Sequence, residues 1–355
     1  MHRLDVDTPA LLLDLDAVES NIATMAAFFA GQSANLRPHF KTPKTPEVAR
    51  RQLEAGAIGI TVAKLGEAEV LADAGLGPIL MANQVVGSKK IDRLMALLAR
   101  GVDITVAVES QFNIDELAAG MQRSGQVASA IVEVDSGMHR CGTGEPGETI
   151  GLARALQDAG IRYRGIMGYE GHAVLIADPT EREEKARAAL GIVHDHGEAL
   201  AEAGLPPEIV SVGGTGSHAI AGAYPGVTEV QAGSYVFMDG RYQEVLPGAF
   251  RSALTLVTTV LSVRERYAVC DMGMKSLTNE FGAPMSVDGS IKVARLSEEH
   301  AHLSGDGIAS LKPGDKVEVL PSHGDTTLNL HDVYHVTRGD EIIDEWPILA
   351  ARKYR

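Results

Sequence analysis

Apolar and polar positions follow two different rhythms along the chain. From Thr8 to about Gly240, short β-branched or aliphatic runs recur: ALLLDL, ANLRPHFK, AIGITVA, PILMAN, DITVAV, ASAIVEVD, YRGIMGYEG, EIVSVGG and TEVQAGS. Between most of them lie segments such as KTPEVARRQLEAGA, LGEAEVLADAG, SKKIDRLMALLARG and PGETIGLARALQDAG. These carry apolar residues at helical spacing, and several end in glycine, a frequent C-terminal cap. Repeated β–α units predict a parallel sheet with right-handed crossovers. About eight units in ~230 residues fit a (β/α)₈ barrel of the TIM type, whose usual size is ~250 residues. A doubly wound open sheet is the alternative. After Pro247 the helical rhythm stops. FRSALTLVTTVLSV, YAVCDMG, SIKVARLS, DKVEVLP and DVYHVTRGDEIIDEWPI read as strands separated by tight turns. The expectation is therefore an α/β chain, with a barrel over residues 8–245 and a mostly antiparallel β domain over 246–355. Residues 1–7 are a candidate addition to the second domain.

Composition narrows the function classes. The chain has 355 residues, 45% of them hydrophobic, which supplies ample core for two domains. A net charge of -15 argues against nucleic acid or anionic membrane as the main partner. No apolar run reaches the ~18 residues needed to span a bilayer. The N-terminal stretch lacks the basic-then-apolar pattern of a secretion signal, so a cytoplasmic location is expected. Two cysteines, Cys141 and Cys270, are too few for a disulfide framework or a closed zinc site.

In a β/α barrel, catalytic groups follow the C-terminal ends of the strands. Lys41 ends the run RPHFK, an unusual place for a residue that favours water. VDSGMHRCG brings Asp135, His139 and Arg140; GYEGH brings Tyr169 and His172. SVGGTGSH and QAGSYVFMDG are two small-residue turns. GGTGS can offer backbone N–H groups and the hydroxyls of Thr215 and Ser217 to a phosphate, although a plain turn has about even odds. In the second domain, PSHGDTTLNLHD places His323 and Asp325 two residues apart. In extended chain, side chains at i and i+2 share a face, so an imidazole and a carboxylate can grip one cation.

Taken in order, RPHFKTPK, VDSGMHRCG, GYEGH, SVGGTGS, VQAGSYVFMD and PSHGDTTLNLHD resemble the D-threonine aldolase and D-serine dehydratase-like family. These are fold-type III pyridoxal phosphate enzymes whose barrel is related to alanine racemases, and the resemblance spans almost the whole chain. It implies that Lys41 bonds the cofactor, that Arg140 contacts its phenolic oxygen and that Tyr169 lies beside it. It implies a phosphate cradle of Gly214, Thr215 and Gly216 with Gly233, Ser234 and Tyr235. It implies a metal pair of His323 and Asp325, a homodimer, and a small D-3-hydroxy amino acid as substrate. His-x-Asp accompanies the aldolases of the family and His-x-Cys the dehydratases; this sequence has His-Gly-Asp. Three positions depart from the pattern. The histidine expected six residues after the tyrosine is Leu175, the usual Gln-Lys is Ala63-Lys64, and Pro43 replaces a second histidine. The base is then open between His172 and hydroxide on the metal.

The expected activity is cleavage to glycine and an aldehyde, dependent on pyridoxal 5'-phosphate and on Mn²⁺, Mg²⁺ or Zn²⁺. The alternatives are a D-serine or D-3-hydroxyaspartate dehydratase, an amino-acid racemase, and a non-enzymatic cofactor-binding module.

Overall fold

The computed structural model describes all 355 residues. In chain order its first half contains β1 Ala10–Asp14, α1 Leu15–Phe29, β2 Asn35–Leu36, α2 Pro46–Glu54, β3 Ile60–Val62, α3 Leu65–Asp73, β4 Ile79–Gln84 and α4 Ser88–Ala99. There follow β5 Ile104–Val108, α5 Gln111–Ser124, β6 Ser129–Glu133, α6 Pro146–Asp158, β7 Arg162–Met167, α7 Pro179–Glu202, β8 Ile209–Val212, α8 His218–Gly222 and β9 Glu229–Val230. The remainder comprises α9 Gly240–Val245, β10 Leu254–Arg264, β11 Tyr267–Cys270, β12 Met285–Ser286, β13 Lys292–Leu296, β14 Ala301–Ser304, β15 Lys316–Leu320, α10 Gly324–Leu328, β16 Val333–Arg338 and β17 Glu341–Pro347.

The chain divides into two compact units. The barrel unit holds Met25–Lys41, Val48–Gly233 and Lys353–Arg355. Its eight strands are parallel and run in the order β2-β9-β8-β7-β6-β5-β4-β3. A parallel bridge between His39 and Thr61 joins the two ends, so the TIM-like barrel predicted from the β–α rhythm is present. Leu80, Ala107, Ile131, Met167 and Ile209, one from each of β4 to β8, pack into a buried belt. The helices take their register from apolar faces: α4, for example, buries Ile91, Leu94, Met95 and Leu97. Termini follow local chemistry. Ser110 caps α5 through its side chain, and Gly125 closes it in the left-handed region at φ 72°.

The β unit holds Met1–Thr24, Thr42–Glu47 and Ser234–Arg352. Its nine-stranded sheet has the order β11-β14-β13-β12-β15-β10-β1-β16-β17, with β11 also pairing β10. Every pairing is antiparallel except β1 with β16.

The sequence reading assigns ALLLDL to the start of the β–α series. The strand forms, but it joins this second sheet, between β10 and β16. Leu11, Leu12 and Leu13 are at most 1% exposed, so both faces of β1 are covered. A strand buried on both faces is a continuous apolar run in either setting, and its sequence does not say which sheet covers it. Nine candidate strands thus supply eight barrel strands. No helix is long and apolar enough to cross a membrane.

Candidate active site

Lys41 follows β2 through a segment pinned to its neighbour: Thr61 N donates to Pro38 O at 2.9 Å and Phe40 N to Thr61 O at 2.7 Å. The Lys41 amide donates to His39 Nδ1 at 3.3 Å, and the lysine itself is half-buried. Nearby in the chain, buried Arg37 grips Glu229 with two nitrogens, at 2.9 and 2.8 Å, locking β2 to β9.

After β6, the loop VDSGMHRCG folds back on itself. Asp135 N donates to Thr143 O at 3.0 Å. Asp135 Oδ1 accepts from Gly137 N at 3.0 Å and from His139 N at 2.9 Å, while Oδ2 faces His139 Nδ1 at 3.1 Å. Burial alone would raise this carboxyl, yet the donors from His139 and Gly137 hold it below its ordinary value. Gly142, at φ +111°, is required here, because a Cβ would come within 2.4 Å of Asp135 N.

The loop carries Arg140, whose side chain is 52% exposed and whose guanidinium sits 5.9 Å from the Tyr169 ring centroid. Behind it, Glu133 Oε1 lies 3.9 Å from Arg140 Nη2, and Gln84 Nε2 donates to the other oxygen. Burial pushes the Glu133 carboxyl up, with Gln84 and Arg140 opposing.

Tyr169 connects this group to the glycine-rich turn. A Cβ on Gly214 would sit 3.2 Å from Tyr169 Cε2, so the ring edge rests on the glycine. Glu170, next in the chain, turns inward and is 1% exposed. Its oxygens accept from Ser217 Oγ at 2.6 Å and from Gly213 N at 3.2 Å, and Ser217 Oγ accepts from Gly214 N at 3.1 Å. Burial raises the Glu170 carboxyl despite those bonds.

Within GGTGS, the Gly213 and Gly214 amides are thus engaged by Glu170 and Ser217. Gly216 has no room for a side chain, since a Cβ would meet Val174 O at 1.8 Å. Gly233 is buried in the barrel unit, while Ser234 and Tyr235 fall in the β unit, where Tyr235 packs on Phe250 at 5.6 Å. His172 is exposed, its ring 3.6 Å from where a Gly137 Cβ would be, and Leu175 is half-buried.

In the β unit, His323 is the N-cap of α10 in an extended conformation and Asp325 lies inside the first turn. The expected strand-like pairing is therefore wrong: the chain turns into a helix between the two residues. What gathers them is Asp239. Its Oδ2 accepts from Gly324 N at 2.8 Å and its Oδ1 from Tyr242 N at 3.0 Å. Burial pushes the Asp239 carboxyl up to about 6, with His323 attracting and Asp325 repelling its charge. On the other side, Glu280 Oε1 lies 2.7 Å from His323 Nδ1 and also accepts from Thr326 Oγ1. Burial opposes the charge of Glu280, but the Thr326 and His323 bonds hold its carboxyl down at about 2.

Four carboxylates that the sequence reading did not single out thus support the predicted residues: Glu133, Glu170, Asp239 and Glu280. Glu170 and Asp239 stand inside the quoted runs GYEGH and QAGSYVFMDG, where an acid among small residues was an available signal. Glu133 and Glu280 gave none.

The donor sets suit the two groups that the sequence resemblance implies. Asp325 Oδ1 is buried with no hydrogen-bond partner, a costly state that a cation relieves, and a nitrogen with a carboxylate suits Mn²⁺, Mg²⁺ or Zn²⁺. No cluster of three or more His, Cys, Asp or Glu side chains stands in metal-holding geometry. On the barrel, an amine, a guanidinium over a tyrosine ring and the unpartnered, buried Ser136 Oγ match the mixed charge and polarity of pyridoxal phosphate.

Comparison with known proteins finds relatives along nearly the whole chain. Residues 13–240 match the family described as alanine racemase, N-terminal domain, and residues 253–337 match a serine dehydratase domain. The chain is 35% identical to a D-threonine aldolase of Arthrobacter sp, covering 97% of this chain and 93% of the other. It is 31% identical to a D-threo-3-hydroxyaspartate dehydratase of Delftia sp. strain HT23, covering 97% of each. A crystal structure of D-threonine aldolase from Filomicrobium marinum superposes with a TM-score of 0.94, at 36% identity over 98% of this chain and 96% of that one. With barrel, β sheet and motif order all in agreement, the chain belongs to the alanine racemase N-terminal domain family, in its D-threonine aldolase and D-serine dehydratase-like branch of pyridoxal phosphate enzymes.

Proposed function

We propose that the chain is a pyridoxal phosphate- and divalent metal-dependent lyase that cleaves D-3-hydroxy amino acids of the D-threonine type to glycine and an aldehyde. The observation that carries this reading is the buried Oδ1 of Asp325, which has no hydrogen-bond partner, two residues from His323: the position at which His-x-Asp and His-x-Cys differ holds an aspartate.

Lys41, half-buried after β2, would bond the cofactor covalently. Arg140, flanked by Glu133 and Tyr169, would hold the ring oxygen. Gly214, Thr215, Gly216, Gly233, Ser234 and Tyr235 would receive the phosphate, with Glu170 and Ser217 bracing the turn. When bound, pyridoxal phosphate supplies an electron sink that stabilises charge left on Cα. His323 and Asp325 would hold a divalent ion, which would supply Lewis acidity toward a hydroxyl on Cβ. His172, which is exposed, would take the hydroxyl proton.

A dehydratase that releases a 2-oxo acid and ammonia is the second reading, favoured by the serine dehydratase domain match and the 31%-identical dehydratase. Purified protein incubated with D-threonine, D-serine and D-3-hydroxyaspartate, with and without chelator, decides between them. Chelator-sensitive glycine and aldehyde support the aldolase. A 2-oxo acid with ammonia, and no aldehyde, overturns it.

A further inference from the structure

His323 is held by side chains from a second segment of the chain. Ser276 to Phe281 forms a strap laid along the segment Ser322 to His331. Ser276 O accepts from His331 Nε2 at 2.8 Å. Ser322 Oγ donates to Thr278 O at 3.4 Å, and Thr278 N donates to Thr327 Oγ1 at 3.3 Å. The Thr278 hydroxyl also pairs with Thr326 and Thr327 at 2.8 and 3.0 Å. At the tip of the strap two side chains take hold of one imidazole. Glu280 meets its edge at Nδ1, 2.7 Å away, and Phe281 lies against its face with ring centroids 4.6 Å apart at 54°.

An ionised carboxylate only accepts hydrogen bonds, so the nitrogen facing Glu280 carries the proton. In the neutral imidazole the lone pair is then on Nε2. We propose that Glu280 is a positioning residue for the metal pair: by holding Nδ1–H it fixes the tautomer and rotation of His323 that present Nε2 to a divalent cation. This rests on the metal role proposed above for His323 and Asp325. Metal-bound histidines commonly donate their second ring N–H to a carboxylate or carbonyl, and losing that partner lowers metal affinity about 10- to 100-fold.

Thr326 sharpens the assignment. Its hydroxyl donates to the same Glu280 oxygen and lies 3.3 Å from His323 Nδ1, so Glu280 has two donors on Oε1 and is directed at the ring. Asp239 complements it from the backbone side. By accepting from Gly324 N it sets the peptide between the two ligands, and by accepting from Tyr242 N it ties that peptide to the start of α9. Neither carboxylate needs to touch the ion to shape its site.

The test uses the pyridoxal phosphate-loaded protein. Mn²⁺ affinity is measured by equilibrium dialysis for wild type, Glu280→Gln, Glu280→Ala and His323→Ala, and cofactor absorbance checks that each variant is folded. In the metal-free protein, ¹⁵N shifts of the His323 ring report the tautomer. Glu280→Ala is expected to bind Mn²⁺ about 10- to 100-fold more weakly and to lose the protonated Nδ1. Glu280→Gln keeps an acceptor oxygen of the same shape, so it should retain the tautomer and most of the affinity. Wild-type affinity in Glu280→Ala, or an unchanged Nδ1–H, overturns the proposal. Loss as complete as in His323→Ala also overturns it, because Glu280 would then be a ligand. Unchanged affinity in His323→Ala instead refutes the metal role itself, so the two failures are distinguishable.

Discussion

The barrel rim and the His323 loop solve the same problem by opposite means. On the rim, Lys41, Arg140, Tyr169 and the GGTGS turn come from four different β–α loops, each anchored by its own strand. In the β unit, one tripeptide, His323-Gly324-Asp325, supplies the whole candidate metal site, and its support comes from two carboxylates distant in sequence. A site spread over many strands is as rigid as the barrel beneath it. A site on one turn is as rigid as its braces.

The sharpest way to break the comparison is at Lys41. Lys41→Ala is expected to abolish covalent cofactor attachment and activity while leaving Mn²⁺ affinity unchanged. Borohydride reduction followed by peptide mass mapping should find the cofactor on Lys41 in wild type and nowhere in the variant. A label on Lys44 or Lys64 would defeat the assignment. Asp325→Ala should do the reverse, retaining visible cofactor absorbance and losing aldol cleavage, with partial rescue at high Mn²⁺. Cleavage at the wild-type rate in chelator would remove the metal from the chemistry.

A third change tests the barrel's rigidity directly. Arg37 and Glu229 are 8% and 2% exposed, and removing one partner strands the other's charge in the interior. Glu229→Ala should destabilise the protein by about 3–5 kcal/mol, visible in chemical denaturation, because a broken buried pair costs that much. A loss below ~1 kcal/mol would mean that water reaches the site.

The smallest effect is one of pH. His196 is 2% exposed and bonds Thr149 Oγ1 at 2.8 Å through Nδ1. Burial lowers its pKa, with nearby acids opposing, so the folded state favours the neutral ring. Its contribution is therefore present above the unfolded value of about 6.5 and is lost as pH falls through the lower folded value. Thermal unfolding between pH 7.5 and 5 should show a shallower loss in His196→Gln than in wild type, and parallel curves would discount the histidine.

Reading the sequence worked best where chemistry follows local pattern. The β–α rhythm, the glycine caps and the placement of candidate groups after strands are all short-range, and the barrel bears them out. It fell short where tertiary context decides. ALLLDL carries no mark of the sheet it joins. His-Gly-Asp was read as extended because spacing alone says nothing about the helix that starts at Gly324. Glu133 looks like any strand-end acid until Gln84, 49 residues earlier, is brought against it, and Glu280 meets His323 across 43 residues.

The placement of β1 also bears on how the chain is made. Ala10 pairs with Val257 and Leu12 with His335. A ribosome adding ~5–20 residues per second needs roughly 12–50 s to go from β1 to β10, and longer to reach β16. For that interval three consecutive leucines have no strand to pair with, while the barrel can already be assembling behind them. Nascent chains arrested before residue 250 should accordingly expose β1 to proteases and to chaperones, and chains released after residue 338 should not.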